Sequence, residues 1–596
     1  MCRIAGIISE QSSVEKVSRQ VKAMCTVMRH GGPDDEGIYT DDEGKTCFGH
    51  RRLSILDLST AGHQPMFSDD KNLCITYNGE IYNFKEIRAE LLTLGDKFHS
   101  DTDTEVILKA YKRWGTSSFK RFKGMFAFAL FDQADKKTYL VRDPGGIKPL
   151  YYAISGHDLV FASEVKAFAQ TSYPFTKAEN WKIYLLAFGH IPEPFTTFKE
   201  IKSLSKGSFL TWDHQTCTIS ISNFYSFQYS QTITDPVIAT EQIKSSLIQS
   251  VRRHLISDAP IGVFLSGGID SSSITLIANE FQKEDLHTIS VNLEETNYSE
   301  KKYQELITSL SKGKHSEYLF NYEKFVTSFE TILAAMDQPC TDGINSWYVS
   351  KCAKESGLKA VLSGLGADEL LGGYPSFHRV EAITLLKKLP KSILALAEKH
   401  PDPKYKRLYY LSYDNPIGEY LFLRGSYTPA LIAEILNADR KEVDQLLSDF
   451  PVNAEFNNLK GGNRASWLET NLYMQNQLLK DTDYMSMSHG IEVRVPFLDQ
   501  DLVQTILSIH PDIKFDKSQD KSLLIKAFKD LLPEAIWKRK KMGFTFPFQE
   551  RMKKFDEISA PGKYENKISK KLINDFCKGK LHWSSAFALY HINKAK

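Results

Sequence analysis

The stretch Ile261-Gly262-Val263-Phe264-Leu265-Ser266-Gly267-Gly268-Ile269-Asp270-Ser271-Ser272 decides the fold. Its first five residues, apolar and partly β-branched or aromatic, predict a buried strand over Ile261–Leu265, and the apolar run Ser273–Ala278 predicts a helix. Between them lies a loop suited to phosphate. Two adjacent glycines free backbone N–H groups, three serines add hydroxyl donors, and the following helix N-terminus favours an anion. Asp270 neutralises no anion by itself, so a magnesium ion bridging it to phosphate is its natural partner. No Gly-Lys-[Ser/Thr] follows, so this is not a Walker loop. A plain connecting turn is the alternative, and Gly-Gly with three serines argues against it.

The grammar around this loop is that of a parallel sheet. Ile243, Leu247, Val251 and Leu255 recur every fourth residue, one stripe of an amphipathic helix. Further strands are predicted over Thr288–Leu293 and Ala360–Leu362, and strands alternating with helices indicate a doubly wound sheet. A second loop, Ser363-Gly364-Leu365-Gly366-Ala367-Asp368-Glu369, follows the Ala360–Leu362 strand and ends in Gly372-Gly373-Tyr374. Asp368 is a candidate second magnesium ligand beside Asp270. From about Ala382 to the end the pattern is largely helical. A basic run, Trp537-Lys538-Arg539-Lys540-Lys541, precedes Met542-Gly543-Phe544; charge alone would read it as a solvated patch or localisation signal.

The first ~210 residues follow a different pattern, of short strands separated by turns. Ile4–Ile8, Leu73–Tyr77, Phe126–Phe131 and Tyr139–Val141 read as strands, with helices over Phe84–Leu94 and Thr104–Lys112. Asn223–Ala239 loses the regularity and carries polar turn formers. The expected division is residues 1–215, a linker over 216–239, and residues 240–596.

At 596 residues the chain exceeds one hydrophobic core. A formal net charge of +2 supplies no electrostatic reason for nucleic acid or an anionic membrane as partner. Eight cysteines without CxxC pairs argue against structural zinc or a disulfide framework and fit a reducing, cytoplasmic setting. The amino-terminal apolar run reaches Glu10 too soon for a signal peptide, and no stretch of about 18 apolar residues occurs. The sequon Asn297-Tyr298-Ser299 is therefore expected to stay unglycosylated.

Cys2 is distinctive in its chemistry. Removal of Met1 leaves it with both a thiol and the free α-amine. An amine titrating near pH ~8 can take the proton of a thiol near ~8.5 without any histidine. Read on position alone, Cys2 is more simply a small apolar residue opening a strand, since reactive cysteines are the minority. Asn78 and Gly79, in Tyr77-Asn78-Gly79-Glu80-Ile81-Tyr82-Asn83, suit an oxyanion hole in a turn that ends a strand, although Asn-Gly is also a hairpin signal. Arg52 is able to hold a carboxylate bidentately and Asp103 an ammonium group; Asp103 is otherwise part of an acidic helix start.

MCRIAGI, RHGGPDDEG (Arg29–Gly37), HRRLSILD, YNGEIYN, DTDTEVIL and VRDPGGIKPLYY (Val141–Tyr152) resemble class II glutamine amidotransferases over residues 2–210. The resemblance implies an α+β N-terminal-nucleophile glutaminase fold with Cys2 as nucleophile, its own amine as base, and Asn78 and Gly79 as the oxyanion hole. It assigns Arg52, Asn78, Glu80 and Asp103 to glutamine. The Ser266–Ser272 loop is similar to the SGGxDSS loop of enzymes that split ATP into AMP and pyrophosphate. With Asp483-Tyr484-Met485-Ser486-Met487 and Glu492-Val493-Arg494-Val495-Pro496-Phe497-Leu498-Asp499, residues 240–550 resemble asparagine synthetases. That resemblance implies an α/β doubly wound PP-loop domain with a helical carboxy-terminal part. It places Leu265, Ser266, Gly267, Gly268, Asp270, Ser271, Ser272, Val291, Ser363 and Gly364 on ATP, magnesium on Asp270 and Asp368, and Lys540 on pyrophosphate. A homodimer is the expected assembly. Aspartate is the leading acceptor, with another carboxylate, such as a uronic acid of a surface polysaccharide, as the alternative. Three positions depart from the pattern. Arg3 stands where glycine is common, Gly31 replaces an arginine of the usual RHRGPD string, and Leu365 replaces a glutamate thought to deprotonate ammonium.

Overall fold

A computed structural model describes the chain apart from residues 1, 11, 42–43, 295–299, 543–545 and 596. Met1 and the sequon at 297–299 lie outside the described residues. The amino-terminal half is a sandwich of two six-stranded sheets. One runs Lys202–Ser203, Tyr151–Ser155, Asp158–Ala162, Arg3–Ile8, Thr46–Arg52, Asp35–Thr40; the other runs Thr218–Asn223, Ser208–Asp213, Lys137–Arg142, Gly124–Asp132, Leu73–Ile81, Met66–Phe67. Every strand pairing between neighbours described in these sheets is antiparallel. The inner faces meet through Ile4, Ile8, Phe48, Ala127, Leu140 and Trp212, as expected when two apolar faces bury each other.

The carboxy-terminal half carries a five-stranded sheet in the order Lys314–Phe320, His287–Leu293, Ile261–Phe264, Ala360–Leu362, Glu492–Arg494, with parallel pairing throughout. Parallel strands need crossovers, and the helices Ile269–Gln282 and Ile344–Glu355 supply two of them. From Pro375 onward the fold is helical apart from Glu492–Arg494. One long helix runs from Gly461–Leu468 through a π-helical stretch, Glu469–Leu478, into Leu479–Met487. Such wide turns are rare inside helices and frequently fall at functional sites.

Two readings need correction. Asn78-Gly79-Glu80 is not a turn: it lies inside the strand Leu73–Ile81, opposite Ala127, Phe126 and Met125. The Asn-Gly signal is overridden because both faces of that strand are buried. The expected linker over 216–239 contains a strand, Thr218–Asn223, and the start of the helix Pro236–His254, so only 224–235 is irregular. Asp235 caps that helix by accepting from the N–H groups of Val237 and Ile238.

Candidate active sites

Cys2 immediately precedes the strand Arg3–Ile8 and is 8% exposed. Its backbone N–H donates to Asn78 Oδ1 at 3.1 Å, so the fold brings the proposed nucleophile to the proposed oxyanion pair. Burial pushes the Cys2 thiol up, while the positive chain terminus, an N–H bond from Leu53 and the charge of Arg52 oppose this. A thiol held protonated needs a base beside it, which is what an α-amine on the same residue supplies. Asn78 is fully buried, and its Nδ2 has no hydrogen-bond partner among the described residues, a donor left open to an incoming oxyanion. Gly79 is required sterically: a Cβ there would lie 2.2 Å from Met125 O.

The other three glutamine candidates are close by but already engaged. Arg52 donates to the carbonyl oxygens of Ser59 at 2.8 Å, Leu56 at 3.3 Å and Asp57 at 2.5 Å, so it shapes the 53–62 loop rather than standing open. Asp103 opens the helix Asp103–Trp114 and accepts from Tyr77 Oη at 2.7 Å and Ile81 N–H at 2.9 Å; burial pushes it up to about 6. Glu80 faces the other half of the molecule, 3.3 Å from Arg494 Nη2. Sequence reasoning missed the role of Arg494, which sat inside a recognised string but carried no signal of its partner.

In the second half, the two glycine-rich loops meet over a cavity of about 740 Å³. Leu265, Ser266, Asp270, Ser271, Val291, Ser363, Gly364, Asp368 and Lys540 line it. Gly267, Gly268 and Ser272 are not on its wall; a Cβ on Gly267 would meet Tyr303 Cβ at 3.0 Å, and Ser272 is buried beneath. The loop is prefolded, with Ser266 N–H donating to Ser271 Oγ at 3.2 Å and Gly268 N–H to Ser266 Oγ at 3.3 Å. A Cβ on Gly364 would lie 2.9 Å from Asp270 Cβ, which is how closely the loops pack.

Lys521, absent from the sequence reading, bridges the two expected metal ligands. Its Nζ lies 2.5 Å from Asp270 Oδ2 and also pairs with Asp368 Oδ1, and Lys541 Nζ reaches Asp368 at 2.5 Å. Burial pushes Asp368 up, but Lys521 and Lys541 outweigh it and hold the carboxyl down at about 2. Asp270 Oδ1 is buried without a hydrogen-bond partner among the described residues. Two convergent carboxylates, one with an orphaned oxygen, fit a divalent cation.

Leu365 lines the cavity and offers no proton acceptor. Glu369, the carboxylate of the same loop, is 1% exposed and engaged away from the cavity lining, accepting from Gly366 N–H at 3.1 Å and Tyr374 Oη at 2.7 Å. The wall does carry Asp342 and Asp481, both overlooked in sequence. Burial pushes Asp342 up to about 6, and Asp481 Oδ2 has no partner among the described residues.

Comparison with known proteins accords with this geometry. The glutamine amidotransferase domain family matches residues 1–225, and the asparagine synthase family matches residues 242–560. The chain is thus an amidotransferase built from a glutaminase half and a synthetase half. It belongs to the asparagine synthase family, in its two-domain, glutamine-hydrolysing form. Asparagine synthetase [glutamine-hydrolyzing] 1 of Bacillus subtilis (strain 168) is 30% identical over 577 residues, 93% of this chain and 88% of that protein. A putative asparagine synthetase [glutamine-hydrolyzing] 2 of Methanocaldococcus jannaschii is 34% identical over 428 residues, 68% of this chain and 81% of its own. Asparagine synthetase B of Escherichia coli (strain K12) is 32% identical over 421 residues, 66% and 69% of the two chains.

Proposed function

We propose that the chain hydrolyses glutamine at Cys2 and uses the ammonia to convert aspartate into asparagine, with ATP cleaved to AMP and pyrophosphate. The observation that carries this reading is the pairing of two prefolded sites in one chain: Cys2 against Asn78, and the Ser266–Ser272 loop against Asp270, Asp368 and Lys521. At the first site the α-amine takes the thiol proton, Sγ attacks the side-chain amide of glutamine, and Asn78 Nδ2 with the Gly79 N–H holds the oxyanion. Collapse to a thioester releases ammonia, and water then frees glutamate. Arg52, Glu80 and Asp103 are proposed to orient the glutamine after shedding some present partners.

At the second site, Leu265, Val291, Ser363 and Gly364 would frame the nucleotide, and Ser266, Ser271 and Lys540 its phosphates. Magnesium, held by Asp270 and Asp368, would neutralise phosphate charge. Transfer of AMP to the acceptor carboxylate expels pyrophosphate and creates an acyl group with a good leaving group, which ammonia displaces. Closure of the cavity against water keeps that acyl group from hydrolysis. Leu365 favours one second reading, that another carboxylate replaces aspartate. A homodimer is proposed on the family likeness alone. A cytoplasmic setting is supported by eight unpaired cysteines, and no helix among the described residues is long and apolar enough to cross a membrane.

The test is Cys2→Ala. Glutamine-dependent synthesis should fall by about 1,000-fold or more while synthesis from ammonium salts persists. Loss of both activities in a folded variant would contradict separate sites.

A further inference from the structure

Arg3 and Gly31, two of the departures from the family pattern, turn out to be one feature. Arg3 is wholly buried, and its Nε donates to Glu164 Oε1 at 2.6 Å. Its Nη2 lies 2.9 Å from Asp483 Oδ2, across the boundary between the two halves. Glu164 also takes His30 Nε2 at 2.9 Å and Lys166 Nζ at 2.8 Å. A Cβ on residue 31 would stand 2.7 Å from Arg3 Cγ and 3.0 Å from its Nε. Arg3 can lie where it does only because residue 31 has no side chain. The departures at positions 3 and 31 are thus sterically matched.

That match has a consequence for the reaction. Asp483 belongs to the helix Leu479–Met487, and its near neighbours Asp481 and Thr482 line the nucleotide cavity. At ~100° per residue, Asp481 and Asp483 stand on opposite flanks of that helix. One flank meets the synthetase cavity; the other grips the residue adjoining Cys2. A buried ion pair is costly to leave half-made, so any shift of this helix pulls on Arg3 and through it on Cys2.

We infer that Arg3 is a positioning residue that couples occupancy of the synthetase cavity to the geometry of the glutaminase nucleophile, with Gly31 as its necessary complement. The inference rests on the two-site function proposed above.

The experiment uses the full chain carrying Arg3→Gly, Arg3→Lys, Gly31→Arg, Arg3→Gly/Gly31→Arg or Asp483→Asn, each checked for folding by its thermal transition. Glutaminase kcat and KM are read with and without Mg·ATP and aspartate, together with glutamate formed per asparagine and ammonium-dependent synthesis. Arg3→Gly should lower glutaminase kcat in the presence of Mg·ATP and aspartate on the order of tenfold and raise the glutamate-to-asparagine ratio, with KM and ammonium-dependent synthesis little changed. Gly31→Arg alone should be worse than the double variant, which should regain coupling. Arg3→Lys should keep part of it, and Asp483→Asn should lose the response to Mg·ATP without any change in the glutaminase half. An unchanged ratio in both Arg3→Gly and Asp483→Asn would overturn the inference, as would a double variant no better than Gly31→Arg. If the wild type makes no asparagine even from ammonium, the proposed acceptor fails instead, and the glutaminase response to Mg·ATP still reads the role of Arg3.

Discussion

Arg494 Nη2 lies 3.3 Å from Glu80 Oε1, joining the strand that carries Asn78 and Gly79 to the edge strand of the five-stranded parallel sheet. The same guanidinium holds Glu492 at 2.5 Å and donates to the carbonyl oxygens of His254 at 2.8 Å and Ile256 at 2.5 Å. The main chain of Arg494 is equally committed, since its carbonyl accepts from Ser363 N–H, in the second glycine-rich loop, at 2.8 Å. One residue thus touches both sites.

Arg494→Met should therefore be among the most damaging substitutions in the interface. It leaves Glu80 and Glu492 buried beside each other without their cation, a cost of about 3–5 kcal/mol. Urea denaturation followed by fluorescence measures it. A change below about 1 kcal/mol would show that water reaches this pair.

Asp270→Asn and Asp368→Asn each remove one of the two acidic groups that Lys521 bridges. Pyrophosphate release should drop about 100-fold or more in either variant, because charge developing on the phosphates loses its metal-holding site. Glutaminase activity without ATP should survive. Unimpaired pyrophosphate release in either variant removes that residue from the site.

Stability should fall on mild acidification. His50, His190 and His254 are buried, and burial pushes each down to about 3. The folded chain keeps them neutral, whereas the unfolded chain protonates them near pH ~6.5. For these three rings the unfolded state binds the extra protons between pH 6.5 and 3, so their contribution is complete above that window and is lost as the pH falls through it, while the raised carboxyls of Asp103 and Asp342 act in the opposite direction between about pH 4 and 6. Urea midpoints should fall more steeply below pH 6 in the wild type than in His190→Gln, which removes one of the three rings. Parallel profiles for the two proteins would show that this ring is solvated.

Much of this architecture could be read from residues close together in the chain. The Ile261–Leu265 strand and the loop after it have a strong local signature, and the structure ends the strand only one residue earlier, at Phe264. Lys314–Phe320 escaped notice because Lys314, His315 and Glu317 do not look like a parallel strand; it sits at the sheet edge, where polar side chains meet water. Lys521 was invisible for a different reason. It stands 251 residues from Asp270, in a segment that reads as an ordinary solvated helix start, and only the tertiary fold brings them together. The complementarity of Arg3 and Gly31 likewise exists only in three dimensions. Their sequence strings registered as two unrelated oddities.

Nitrogen transfer tests the central claim most directly. The enzyme is given glutamine labelled with 15N in its side-chain amide, Mg·ATP, and aspartate as the sole acceptor, and the products are identified by mass. The account requires asparagine carrying the label in its side chain, with AMP and pyrophosphate formed in equal amounts to it. No labelled asparagine, under conditions where glutamate appears and ATP is bound, would contradict it and assign the acceptor role to a different carboxylate.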